Sequence, residues 1–152
     1  MEQNGNRFNK VVVAGTFDHL HQGHLNLLSR ALELTSEKLF IGVFNGDLSH
    51  KLYADRFQSI STRIQNVTDY IISINSNKID FHVFELFDSI GLAGIMPDLD
   101  AIVASKETEE GCAKVNEFRA ARGLKEIHSV IVDLVQFQGE KMSSTYYRSL
   151  EP

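Results

Sequence analysis

Val11-Val12-Val13-Ala14-Gly15-Thr16-Phe17-Asp18-His19-Leu20-His21-Gln22-Gly23-His24 is the stretch on which the fold turns. Four apolar residues in a row, stopped by glycine, read as a short strand buried on both faces, the pattern of a parallel sheet. Beyond it Leu25, Leu28 and Leu32 recur at helical spacing up to about Thr35. The stretch is therefore a strand-to-helix connection. Gly15 is expected to allow a sharp exit from the strand. The helix should begin near His21 to Gly23, turning its unbonded N–H groups to the crevice beyond the strand, where they and the helix dipole favour anions. Gly23 lets a base or phosphate approach the backbone closely. His21 and His24, three apart, share one face of the first turn.

Outward from this point, apolar runs and helical patterns alternate. Leu39 to Phe44 reads as a second strand, stopped by Asn45-Gly46-Asp47. Ile60, Ile64, Val67, Ile71 and Ile74 mark one face of an amphipathic helix that Ser59 or Ser61 caps. Ile79 to Leu86 and Ala101 to Ala104 read as a third and a fourth strand. Glu107 to Arg122 reads as a helix with Cys112, Val115 and Phe118 inward and Gly123 at its stop. Val130 to Val135 is a fifth strand, and a last helix is expected from Ser143 or Ser144. Such alternation predicts an α/β fold, an open parallel five-stranded sheet with helices on both faces. Ligands of such sheets bind beyond the carboxyl ends of the strands, near the switch in strand order.

The chain has 152 residues, the length of one domain, and no linker or repeat interrupts the pattern. Residues 1–9 are polar and expected to be flexible. Lys and Arg number 15 against 20 Asp and Glu, a net charge of −5 that argues against nucleic acid or a membrane as partner. One cysteine, Cys112, allows no intrachain disulfide and no thiolate zinc cluster, and reads as a small buried residue. Neither a signal peptide nor a membrane-spanning apolar stretch is visible, so a cytoplasmic protein is expected. Four of the six histidines, His19, His21, His24 and His50, fall in one third of the chain. A metal site from His19, His21 and His24 is the weaker reading, because no carboxylate or thiol completes the set. An anion site for nucleotide phosphates is the stronger one.

Gly15 to His24 resembles the Gly-Thr-Phe-Asp-x-x-His-x-Gly-His signature of the nucleotidyltransferase superfamily, the adenylyl- and cytidylyltransferases related to class I aminoacyl-tRNA synthetases. The resemblance implies a Rossmann-like nucleotidylyl transferase fold. It places Thr16 and His24 on phosphates and His21 beside the nucleotide. A second element, Lys141-Met142-Ser143-Ser144-Thr145, resembles the family's serine-rich turn at the last helix, although Ser-Ser-Thr read alone is only a helix cap. Ala104-Ser105-Lys106-Glu107-Thr108, with Asn116, Arg119 and Gly123-Leu124, is similar to a region of phosphopantetheine adenylyltransferases of the archaeal and eukaryotic type. Bacterial versions carry proline where His19 stands. Cytidylyltransferases show a different turn before the terminal serines. No phosphate-binding loop of the kinase kind occurs, so no kinase activity is expected.

The resemblance implies adenylyl transfer from ATP to 4′-phosphopantetheine, giving dephospho-coenzyme A and pyrophosphate, with Mg²⁺ as cofactor and no protein metal ligands. It implies catalytic roles for His24, Thr16 and Lys51. ATP would meet Gly15, Thr16, Phe17, His21, Gly23, His24, Ser105, Glu107, Thr108, Met142, Ser143, Ser144 and Thr145. Phosphopantetheine would meet Thr16, Asp47, Lys51 and Arg63. Read singly, Lys51 and Arg63 are surface cations and Asp18 a turn residue. The attacking phosphate monoester has a second pKa of about 6 and needs no general base. Rival readings are another transferase of the superfamily, such as a cytidylyltransferase acting on glycerol 3-phosphate, and a non-catalytic nucleotide-binding module. The oligomeric state stays open, a monomer included.

Overall fold

The computed structural model describes residues 7–45, 57–87, 93, 96–105, 109–132, 136–137 and 140–141. Strands β1 (Phe8–Gly15), β2 (Thr35–Phe44), β3 (Asp80–Leu86), β4 (Ala101–Ser105) and β5 (His128–Val132) form one sheet in the order β3-β2-β1-β4-β5. Every neighbouring pair is parallel. Helix α1 (Gln22–Glu33) follows β1, α2 (Ile60–Ile74) follows β2, and α3 (Glu109–Ala121) joins β4 to β5. The expected five-stranded α/β sheet is thus present, and its order reverses between β1 and β4. None of the described helices is long and apolar enough to cross a membrane.

Alternate strand residues feed two cores. Val11, Val13, Leu39, Ile41, Val43, Ala101 and Val103 pack with Leu27, Leu28, Ala31, Leu32, Val67 and Ile71 of α1 and α2. Val12, Phe40, Ile102 and Ala104 pack on the other face with Leu99, Ile127, and Cys112 and Val115 of α3. Central strands covered on both faces cannot show polar alternation, which is why they read as continuous apolar runs.

The boundaries differ where polar residues extend an element. β1 starts at Phe8, so Phe8 and Asn9, placed in the flexible start by the sequence, belong to the sheet. Residues 1–6 lie outside the described residues. β2 starts at Thr35, with Phe8 opposite Thr35 and Lys10 opposite Lys38 across a register shift. β5 starts at His128 rather than Val130. In α1 Leu27 joins Leu28 and Leu32 in the core, while Leu25 is half-buried. A two-stranded antiparallel pair, β6 (Gln136–Phe137) and β7 (Glu140–Lys141), was not expected from the sequence. The expected last helix lies outside the described residues.

Candidate active site

The exit from β1 is built differently from expectation. Gly15 does not adopt a positive φ, and a Cβ added to it would meet the Phe17 ring at an ordinary 3.5 Å. The turn is made instead by Phe17 (φ 51°) and His19 (φ 49°), two bulky residues in the left-handed region. Such conformations cost about 1–3 kcal/mol each and persist only where the surroundings enforce them. Here Phe17 is fully buried in the core beneath the turn. Asp18, also fully buried, accepts a bond from the Gln58 N–H (2.7 Å) and pairs with Nδ1 of His19 (2.7 Å). The His19 N–H donates in turn to the Gln58 side-chain oxygen (2.9 Å). Asp18 is therefore a clamp between the β1 exit and the start of α2, well beyond a solvated turn residue.

His21 is the N-cap of α1, where the helix was expected to begin. Its Nδ1 accepts from the Gly23 N–H (3.1 Å), and its own N–H donates to Nδ1 of His24 at a longer 3.4 Å. This is a reciprocal capping box made from two imidazoles, where Ser/Thr and Glu/Gln are usual. The rings stack with centroids 3.9 Å apart and planes 28° apart, and the Phe17 ring meets His24 edge-on at 5.6 Å. Burial, and then the neighbouring His21, push the His24 pKa down to about 3.

Arg63 is no surface residue. It is 2% exposed and lies on the buried stripe of α2 with Val67 and Ile71. Ser59 caps that helix through a bond from the Thr62 N–H (3.1 Å). The guanidinium donates to the carbonyls of Gln58 (3.0 Å), Thr16 (3.1 Å) and Phe44 (2.7 Å), and to the Asn45 side-chain oxygen (3.2 Å). One cation thus holds the ends of β1 and β2 against the start of α2. Burial disfavours its charge, and Asp18 and Glu85 act to restore it. The spacing 63-67-71 on the apolar stripe was the sequence signal for this burial.

Ser105, buried, ends β4 beside β1: Val103 pairs with Val13, and Ser105 and Gly15 each stand two residues farther on. Gly15, Thr16, His21, Gly23, His24 and Ser105 therefore gather at the carboxyl ends of β1 and β4, at the switch in strand order. Phe17 joins them through its backbone alone, since its ring is in the core. Asp47, Lys51, His50, Glu107, Thr108, Met142, Ser143, Ser144 and Thr145 lie outside the described residues. Among the described residues no three His, Cys, Asp or Glu side chains group as a metal site. Asp18, buried and bonded to Gln58 and His19, is committed to the clamp.

Asn116, Arg119 and Gly123-Leu124 fall at the other end of the sheet. Asn116 donates to the Ile127 carbonyl (3.2 Å) and accepts from its N–H (3.0 Å). Arg119, fully buried, donates to the carbonyls of Ala93, Met96 and Lys125, each at 2.8 Å, and to Pro97 at 3.4 Å. Gly123 (φ 75°) closes α3, with bonds from its N–H to the Ala120 carbonyl and from Leu124 to that of Arg119.

A family model described as cytidylyltransferase-like matches residues 12–150. A phosphopantetheine adenylyltransferase of Thermococcus kodakarensis is 34% identical over 94% of this chain and 86% of its own. The chain belongs to the phosphopantetheine adenylyltransferases of the cytidylyltransferase-like family. The enzyme of the same name from Saccharomyces cerevisiae is 30% identical over 97% of this chain, which spans 50% of the yeast protein. Among solved structures, a protein of unknown function from Archaeoglobus fulgidus superposes with a TM-score of 0.67 at 27% identity, over 83% of this chain and 99% of that one. The matched region begins at Val12, inside β1, and so includes both the two-histidine cap and the switch-point crevice.

Proposed function

We propose that this chain transfers the adenylyl group of ATP to 4′-phosphopantetheine, yielding dephospho-coenzyme A and pyrophosphate. The observation that supports it best is the stacked His21–His24 cap of α1 at the switch point, in a chain 34% identical to an enzyme of that name. A phosphate oxygen of phosphopantetheine attacks the α-phosphorus, and the bond to the bridging oxygen of pyrophosphate breaks. The nucleophile is already ionised near neutrality, so the protein's work is alignment and stabilisation of charge in line with the transfer.

His24 and Thr16 contact the α-phosphate. Gly15, Gly23 and the backbone of Phe17 line the approach, and His21 with Ser105, Glu107 and Thr108 borders the adenosine. Met142, Ser143, Ser144 and Thr145 receive the pyrophosphate. Lys51 and Asp47 serve the acceptor, and Arg63 serves it by holding the β1 and β2 ends that flank it. Mg²⁺ carried in with ATP would supply charge neutralisation to the polyphosphate, and no protein side chain is assigned to hold it. The setting is the cytoplasm, since polyanionic substrates of this kind do not pass unaided through a hydrocarbon layer.

Pyrophosphate release from ATP or CTP, measured over a panel of phosphorylated acceptors, tests this reading. ATP with 4′-phosphopantetheine should give the fastest turnover. Preference for CTP, or ATP binding without turnover on any acceptor, would overturn it. His24→Ala should lower kcat by about 10²–10³-fold, the usual loss when one transition-state donor is removed. Lys51→Ala should raise KM for phosphopantetheine more than for ATP, and equal changes would contradict its role.

A further inference from the structure

We propose that His21 and His24 act as neutral imidazoles, each carrying its proton on Nε2, and that the N-cap of α1 is the device that fixes this state. A backbone N–H can only donate. The Gly23 N–H points at Nδ1 of His21, and the His21 N–H at Nδ1 of His24. Both Nδ1 atoms must therefore offer a lone pair, and in a neutral ring the proton is then on Nε2. An imidazolium would set N–H against N–H at each of these contacts. The stack adds to this, because two charged rings 3.9 Å apart repel. Burial and His21 push the His24 pKa down in the same sense. Of the neighbouring groups, Phe17 presents an uncharged ring, and the Asp18 carboxylate is bonded to Gln58 and His19.

The consequence rests on the adenylyl-transfer reading. His24 offers the α-phosphate an N–H dipole and no net positive charge, so cationic neutralisation falls to other groups such as Lys51. His21 is a positioning residue: its ring holds the extended cap conformation (φ −135°, ψ 177°) that aims its own N–H at His24.

Nitrogen-15 NMR of the histidine-labelled chain without substrates tests the proton positions. Both rings should show one bare and one protonated nitrogen, the bare one being Nδ1, and the His24 pattern should hold on acidification to about pH 5, below the ordinary histidine value. Loss of one signal set in His24→Gln and in His21→Asn assigns them. An imidazolium or an Nδ1–H pattern for His24 would overturn the proposal. His21→Asn, which keeps an acceptor over Gly23, should leave the His24 pattern intact, while His21→Ala should turn it into a tautomer mixture. An unchanged pattern in His21→Ala would remove the cap as the cause. In turnover, His24→Gln should keep at least about tenfold more kcat than His24→Lys, as a neutral donor in place of Nε2–H requires. The opposite order would mean that charge is needed. The free-protein spectra do not depend on turnover: a chain with these tautomers and no adenylyl transfer would refute the function and leave the proton assignment standing.

Discussion

Arg63 and Arg119 are the same device at opposite ends of the sheet. Each sits on an otherwise apolar helix face, in the series 63-67-71 of α2 and 112-115-119 of α3. Each spends its guanidinium chiefly on main-chain carbonyls. Segments just outside a sheet have carbonyls that no ladder satisfies, and burying them unpaired costs about 1–3 kcal/mol apiece. A planar group with five donors can satisfy several at once. The difference is position. Arg63 ties the carboxyl ends of β1 and β2, where the phosphates are proposed to bind. Arg119 ties the segments that lead into β4 and β5 at their amino ends, opposite the proposed site. One geometry therefore stands at the proposed site and the other at the opposite end of the fold.

That contrast can be broken by experiment. The largest loss is expected for Arg119→Ala, about 3–5 kcal/mol in urea unfolding, because it leaves several buried carbonyls unpaired at about 1–3 kcal/mol each. The folded fraction should keep its KM for ATP, and a raised KM would place Arg119 in the site. Arg63→Lys should reverse the pattern. Its loss of stability should be smaller, while kcat/KM for adenylyl transfer falls on the order of 10²-fold, because a misplaced support loosens the reacting geometry. If the two variants behaved alike in both assays, position would not be what separates them.

Asp18→Asn probes the clamp that keeps Phe17 and His19 in their strained turn. It should cost about 1–3 kcal/mol, read as a lower thermal midpoint, and it should lower activity along with it. Near neutral pH the smallest effect is that of His24 protonation, which appears only on acidification. His24 has a folded pKa of about 3, below its ordinary 6.5. Its contribution is therefore complete above about pH 6.5 and is lost as pH falls towards 3, at up to about 1.4 kcal/mol per pH unit. The acid slope of unfolding should be shallower in His24→Gln, and an unchanged slope would contradict the lowered value.

Much of the fold was legible because burial leaves a pattern. Val11 to Val13 and Leu39 to Val43 are covered on both faces, so they stand out as apolar runs. Ile60 to Ile74 shows its helical stripe. The strand beginnings at Phe8, Thr35 and His128 were not legible, since Asn9, Ser36, Glu37 and Ser129 are polar and lie outside the core. Residue pairs in β6 and β7 are too short to carry any period. In the site, the helix start at His21 and the shared face of His21 and His24 followed from spacing. The turn did not: glycine was the natural choice for the sharp bend, and Phe17 and His19 make it, held by a buried carboxylate whose partner Gln58 is 40 residues away.

The sequence by itself determined the element order as far as β5, the two-faced core and the place of the two histidines at a helix start, because these depend on local period and on which residues avoid water. It also carried the family signature. Only the tertiary structure decided what the polar residues inside that frame do. Arg63, Asp18 and Arg119 act on carbonyls and amides that are distant in the chain, and no spacing rule encodes which backbone ends meet when strands order themselves 3-2-1-4-5. The proton positions of His21 and His24 belong to the same class. Residue type allows either tautomer, and the direction of two backbone N–H groups selects one.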